Sequence, residues 1–219
     1  MYGKRLRAAA LRGSFLLLAV GFGGVLQGQG AATDWKIDTA QSRLTINVLP
    51  AGLLSSALHP HHFQPEDWTG EIALDPDHTG GVRVEVRIAA DSLKDRQSKL
   101  SAKDIDKIER RVRSADILDA ARFPRIVFEA RQFEASQLPS DAAGEFRGTL
   151  AGTLTLHGQS RPLRFPVRGL LAARKLEASA TLTFRQSDFG IKPYGTALGT
   201  VAVLDEVTIE IALVALARN

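Results

Sequence analysis

Three of the chain's five histidines fall within four positions, in the run Leu58-His59-Pro60-His61-His62-Phe63. In an extended segment His59 and His61 point the same way, a spacing that can set two imidazoles on one metal ion. Further ligands would have to come from elsewhere, Glu66, Asp67 or His157 being nearest in type. Two imidazoles do not make a site, so loop histidines bonded to the backbone are the preferred reading. Metal binding by His59, His61 and His62 is the alternative.

The other groups with chemical potential read as structural. Asp67/Glu71 and Asp205/Glu206 are paired acids. Adjacent acids on a strand face opposite ways, so Asp205/Glu206 is expected to be a polar turn before the last strand, not a dyad. Arg185-Gln186-Ser187-Asp188-Phe189-Gly190 reads as a strand-end turn closed by an Arg185–Asp188 ion pair, with Gly190 supplying backbone freedom. Its functional alternative is an arginine at a cavity mouth meeting an anionic head group. The chain contains no Gly-rich phosphate loop, no His-Glu-x-x-His and no Gly-x-Ser-x-Gly. With no cysteine, it has no thiol nucleophile, cysteine zinc site or iron–sulfur ligand. No catalytic residue and no cofactor are expected. A barrel enzyme acting on a small apolar substrate would need a polar group of shifted pKa inside the cavity.

The elements that position these residues are mostly strands. Val82, Val84, Val86 and Ile88 alternate with Arg83, Glu85 and Arg87. The same period of two runs from Leu176 to Phe184 and from Val207 to Leu213, and shorter runs occur at 44–48, 125–130, 148–157 and 163–167. Such alternation places apolar side chains on one face of a half-buried strand. Turn chemistry separates the runs at Asp75-Pro76-Asp77, Gly80-Gly81 and Gly158 to Pro162. The expected fold is all-β, an antiparallel barrel of about eight strands. One segment breaks the pattern: Asp104 to Leu118 has Ile105, Ile108, Val112 and Ala115 at helical spacing. It predicts an amphipathic helix packed across the barrel or over its mouth. Acids are mixed among its arginines, so a solvated face is preferred over peripheral contact with a membrane. Residues 50–67 predict a short helix or a long loop.

The first 32 residues form a separate unit. Lys4, Arg5, Arg7 and Arg12 precede an uncharged apolar run from Phe15 to Leu26, and Gly30-Ala31-Ala32 supplies small residues for cleavage. This is the pattern of a secretory signal, and the run is shorter than a membrane anchor needs, so a cleaved signal is preferred over an uncleaved anchor. It predicts residues 1–32 as a signal peptide, 33–219 as the barrel domain, and a periplasmic location. The leader carries four of the 28 basic residues and none of the 24 acidic ones, which leaves the domain formally neutral. That balance argues against a nucleic-acid partner. Nothing in the sequence sets an oligomeric state.

The ordered motifs resemble the YceI-like family of exported, lipocalin-like proteins that bind polyisoprenoid-type lipids. The resemblance rests on Trp35-Lys36-Ile37-Asp38 with Ser42, on Ser114 and 118–128, on 152–158 with Arg161-Pro162-Leu163, on 185–191 and on 205–209. It implies an extended barrel with a helix insertion, an apolar tunnel, a polyisoprenoid or other apolar lipid as ligand, and no catalytic apparatus. Residues proposed to line the tunnel are Trp68, Phe128, Phe146, Leu154, Phe165, Leu182 and Phe184. The sequence departs from the family pattern at 49–65, a Leu-, Ser- and His-bearing stretch over which no head-group contact carries.

The leader has a direct test. The intact mass of protein recovered from the periplasm is expected to match a chain starting at Thr33. Recovery of the full-length chain in the membrane fraction would contradict it.

Overall fold

Among residues 33–74, 81–137, 143–196 and 200–218, which the computed structural model describes, nearly all the alternating runs form strands. In chain order these are β1 (Thr33–Ile37), β2 (Arg43–Ala51), β3 (His61–Pro65), β4 (Trp68–Leu74), β5 (Gly81–Ala89) and β6 (Leu93–Asp95). Helix α1 (Ala102–Arg113) follows, then β7 (Arg125–Gln137), β8 (Gly144–Leu156), β9 (Gln159–Ala172), β10 (Lys175–Arg185) and β11 (Ala202–Ala217). The leader and the Asp75-Pro76-Asp77 and Gly80 positions lie outside the described residues.

All pairings are antiparallel, in the order β1-β4-β5-β7-β8-β9-β10-β11, and β1 returns to β11 to close the ring. The extra strands β2, β3 and β6 are not a second sheet. β11 pairs with β1 at its C-terminal end (Ile37↔Ala215) and with β2 along the rest (Leu44↔Ile211). β3 pairs with β2 just as β4 pairs with β1, and β6 lies beside β3 as β5 lies beside β4. Thus β1/β2, β3/β4 and β5/β6 are three long strands broken by short irregular steps, and the barrel has eight staves. Closure of this kind removes exposed sheet edges. Among the described residues no helix is long and apolar enough to cross a membrane.

One end of the barrel is filled. Trp35, Ile37, Ile72, Leu176 and Ala215 are all buried there. At the other end the chain between β6 and β7 supplies α1. Ser101 caps it, accepting from the Asp104 N–H at 3.2 Å and donating to the Asp104 carboxylate at 2.6 Å. The helix is shorter than its apolar spacing predicts. It stops at Arg113 because Ser114 turns extended and its hydroxyl donates to the Arg111 carbonyl at 2.8 Å. Ala115 to Leu118 continue as a turn.

Three further details differ from the sequence-based expectation. The loop expected over 50–67 contains a short 3-10 turn at Ser55–Ala57, but its second half is strand β3. The β8–β9 turn is tighter than Gly158 to Pro162. It is made by His157 and Gly158, both with positive φ, which suits the twist of a two-residue hairpin. Asp205 and Glu206 lie within β11, at the irregularity between Val203 and Val207, and form no turn.

Gly152 marks a close approach inside the barrel. A Cβ there would collide with the Glu129 carbonyl oxygen and come within 2.7 Å of the Phe128 ring and 2.9 Å of the Ala130 methyl. Overpacking of this kind costs about 1–3 kcal/mol. Gly152→Ala is therefore expected to lower the urea unfolding midpoint, and an unchanged or raised midpoint would contradict the contact.

Candidate functional site

A cavity of about 470 Å³ occupies the barrel between the filled end and α1. That volume is within the range of small-molecule sites. Its wall comes from inward-facing positions of β2, β5 and β7–β11. Leu154, Phe165 and Leu182 are buried, as is Trp68 on β4, while Phe128 and Phe184 are half-buried. Ile46, Val86, Ile126, Ile209 and Leu213 also point inward and are only half-buried. Inward residues of a filled barrel would all be covered. Here they border empty space.

The structure places six of the seven sequence-proposed residues on this wall: Trp68, Phe128, Leu154, Phe165, Leu182 and Phe184. Phe128 and Phe165 pack with ring centroids 5.5 Å apart. Phe146 is the exception. Its ring meets Phe133 edge-on at 6.0 Å and lies where a Cβ on Gly169 would be, away from the cavity. The glycine opposite it lets the ring lie against the backbone of the next strand, so it fills space and lines none.

The polar lining groups are His61, Asp104, Lys107, Arg111, Gln186 and Tyr194. Three of the six belong to α1, where Ile108, Arg111 and Val112 at i, i+3 and i+4 share one side. The Arg111 guanidinium stacks over the Tyr194 ring, 5.2 Å from its centroid, and pairs with Asp116 at 3.2 Å. Lys107 has no ion-pair partner among the described residues. Arg185, considered above for such a place, is not on the wall. Its turn is closed by Asp205 instead of Asp188. Asp205 accepts from the Ser187 N–H at 2.8 Å and the Ser187 hydroxyl at 2.5 Å. Those bonds, with the nearby Arg185 charge, hold the Asp205 carboxyl below its ordinary pKa.

The histidine cluster is taken apart by the same alternation. His61 and His62 are neighbours on β3 and face opposite sides, and each Nδ1 already has a partner. His61 Nδ1 lies 2.6 Å from the Asp95 carboxylate, and His62 Nδ1 lies 2.6 Å from the Asn47 side-chain oxygen. Of the other suggested ligands, Glu66 pairs with Arg96 at 3.0 Å and His157 Nδ1 meets the Phe189 carbonyl at 3.2 Å. Among the described residues no three His, Asp or Glu side chains gather to hold a metal ion. His61 and His62 thus do not share the face that a metal site of His59, His61 and His62 would need.

Asp95, which the sequence did not mark, is buried behind His61 at the centre of a hydrogen-bonded cluster. An ionised carboxylate only accepts, so His61 Nδ1 must carry the hydrogen. Asp95 also accepts from the Gln97 N–H at 3.1 Å and the His62 N–H at 3.4 Å. Its own N–H donates to buried Glu109 of α1 at 3.1 Å, and Lys94 donates to the same carboxylate at 2.9 Å. One buried cluster therefore joins the cavity wall to the helix that covers it.

A family model described as "YceI-like domain" matches residues 35–215. A UPF0312 protein of Pseudomonas putida strain W619 is 24% identical over 197 residues, covering 87% of this chain and 93% of that one. Among solved structures, Burkholderia cenocepacia BcnA superposes with a TM-score of 0.60 at 19% identity, over 81% of this chain and 98% of BcnA. A polyisoprenoid binding domain from Saccharophagus degradans, implicated in plant cell wall breakdown, gives 0.61 at 14% identity, over 84% and 98%. At these identities the structural likeness speaks for the barrel fold.

Burial alone would raise the Asp95 pKa, but the His61 hydrogen bond and charge and the two backbone N–H groups outweigh it, and the value is lowered. A depressed carboxylate stabilises the fold above its ordinary value of 3.8 and loses that contribution as pH falls through the folded value. Asp95→Asn is expected to cost about 3 kcal/mol at neutral pH. The gap between wild type and variant should close below about pH 4. A gap unchanged down to pH 2 would contradict an ionised Asp95 as the source.

Proposed function

This chain belongs to the YceI-like domain family, and we propose that it is an exported, periplasmic carrier holding an isoprenoid or similar amphiphilic lipid in the barrel. The observation that carries the reading is the set of inward-facing apolar residues, Ile46, Val86, Phe128, Phe184 and Ile209 among them, left half-buried around the cavity. An unfilled apolar interior is a cost to a cysteine-free domain, because each void forfeits contacts that would stabilise it. An apolar chain restores them. Each methylene moved from water into such a wall contributes roughly 0.8 kcal/mol. A tail with ten methylene equivalents therefore gains roughly 8 kcal/mol before the cost of ordering it. The polar groups at the mouth suit the other end of an amphiphile, with His61, Gln186 and Tyr194 able to bond a head group.

The role proposed is binding, not catalysis. The polyisoprenoid binding described for the Saccharophagus domain supports the ligand class. Family membership supports the architecture that houses it.

Ile209 sits half-buried on the cavity side of β11. Ile209→Trp is expected to fill the cavity and weaken binding of a polyprenyl alcohol at least tenfold while leaving thermal stability near wild type. Equal affinity in a folded variant, measured by titration, would overturn the reading.

A further inference from the structure

The open end of the barrel carries an apolar collar that neither the fold nor the cavity uses. Val48 of β2 and Val203 of β11 face the cavity, so alternation turns their neighbours Leu49 and Leu204 outward, where they are 46% and 40% exposed. The pairings Val48↔Val207 and Pro50↔Val203 put those two leucines on adjoining strands of the outer wall, at the irregular step of β11. Beyond Ala51 the chain turns at Gly52, with φ of 89°, and presents Leu53 and Leu54, 85% and 51% exposed. This tip is held in place. The Leu54 N–H donates to the Thr200 carbonyl at 3.2 Å, and the Val203 N–H donates to the Tyr194 carbonyl at 3.0 Å. Exposed leucines scattered singly need no explanation, but a contiguous group on one rim marks a contact site. This group lies within the 49–65 stretch that departs from the family pattern, apart from Leu204.

We propose that this collar docks on a lipid bilayer, with Leu53 and Leu54 entering the head-group region, so that a lipid passes between membrane and cavity without crossing water. The proposal rests on the carrier reading above. Three observations select a bilayer as the occupant. The collar is continuous with the mouth of an apolar cavity, through Leu49–Val48 and Leu204–Val203. Tyr194, apolar in body and polar at its tip, is exposed on the same rim, the character of residues at membrane interfaces. The α1 side of the mouth is net basic, with Lys103, Lys107, Arg110, Arg111 and Arg113 against Asp104, Asp106 and Glu109. The rim is thus apolar with a basic flank, as anionic bilayers favour. The chemistry requires such contact: each methylene that must cross water lowers a lipid's aqueous concentration roughly fourfold.

Co-sedimentation with phosphatidylcholine vesicles, with and without phosphatidylglycerol, tests this. Wild type is expected to pellet, more strongly with phosphatidylglycerol. Leu53→Asp combined with Leu54→Asp should lower the partition at least tenfold while polyprenyl alcohol binding in solution stays unchanged. Ile209→Trp should do the reverse. Wild type remaining in the supernatant, or the double variant pelleting equally, overturns the docking while leaving the carrier reading intact. So does a dimer that the double variant dissolves in a chain indifferent to vesicles, because a second copy would then cover the collar. Vesicle binding without any polyprenyl uptake removes the carrier reading, and the transfer role falls with it.

Discussion

The structure depends on the way β11 closes the ring. This strand of sixteen residues is bounded on one side by β10 and on the other by two successive partners, β1 near its C-terminal end and β2 along the rest. The step between them, at residues 38–42, recurs between β3 and β4 and between β5 and β6. Three neighbouring staves therefore bend at related levels. Below that level Trp35, Ile37 and Ile72 fill the interior, and above it the wall bounds a cavity. An eight-stranded barrel is just wide enough to fill itself or to hold one ligand. Here one end is filled and the other encloses a cavity.

Much of this architecture was legible in the sequence because period-two alternation is local. β5, β10 and the centre of β11 show it plainly, and Ile108 and Val112 betray the helix. β3 and β6 were not legible, since His61-His62-Phe63-Gln64-Pro65 and Leu93-Lys94-Asp95 have polar residues at inward positions and little alternation. The end of the helix was missed for a local reason: Ser114 competes for the Arg111 carbonyl, and apolar spacing is blind to that bond.

The site was half legible. Alternation tells which side chains face inward, so six of the proposed residues lie on the cavity wall. It does not tell whether the interior closes over them, because that depends on summed side-chain volumes and stave geometry around the whole ring. Phe146 shows the difference, inward in pattern yet absorbed by the space at Gly169. Asp95 and Glu109 carried no sequence signal. Charged residues in a turn and on a charged helix read as solvated, and only their mutual placement buries them. The histidines misled for a related reason. Proximity in sequence suggested a shared ion, while strand geometry sent His61 to Asp95 and His62 to Asn47.

Fold, mouth and rim share one logic. Buried polar bonds fix the helix over the cavity, the cavity presents an apolar wall without filling itself, and the exposed leucines stand on the rim beside it. The claim at the centre is that the cavity is occupied in the cell by a long apolar chain. Native mass spectrometry of the protein purified without added ligand, followed by organic extraction, tests it most directly. The expected result is a discrete added mass that extraction releases as an isoprenoid-type amphiphile. A bare protein mass, together with no uptake of polyprenyl compounds on incubation, would contradict it.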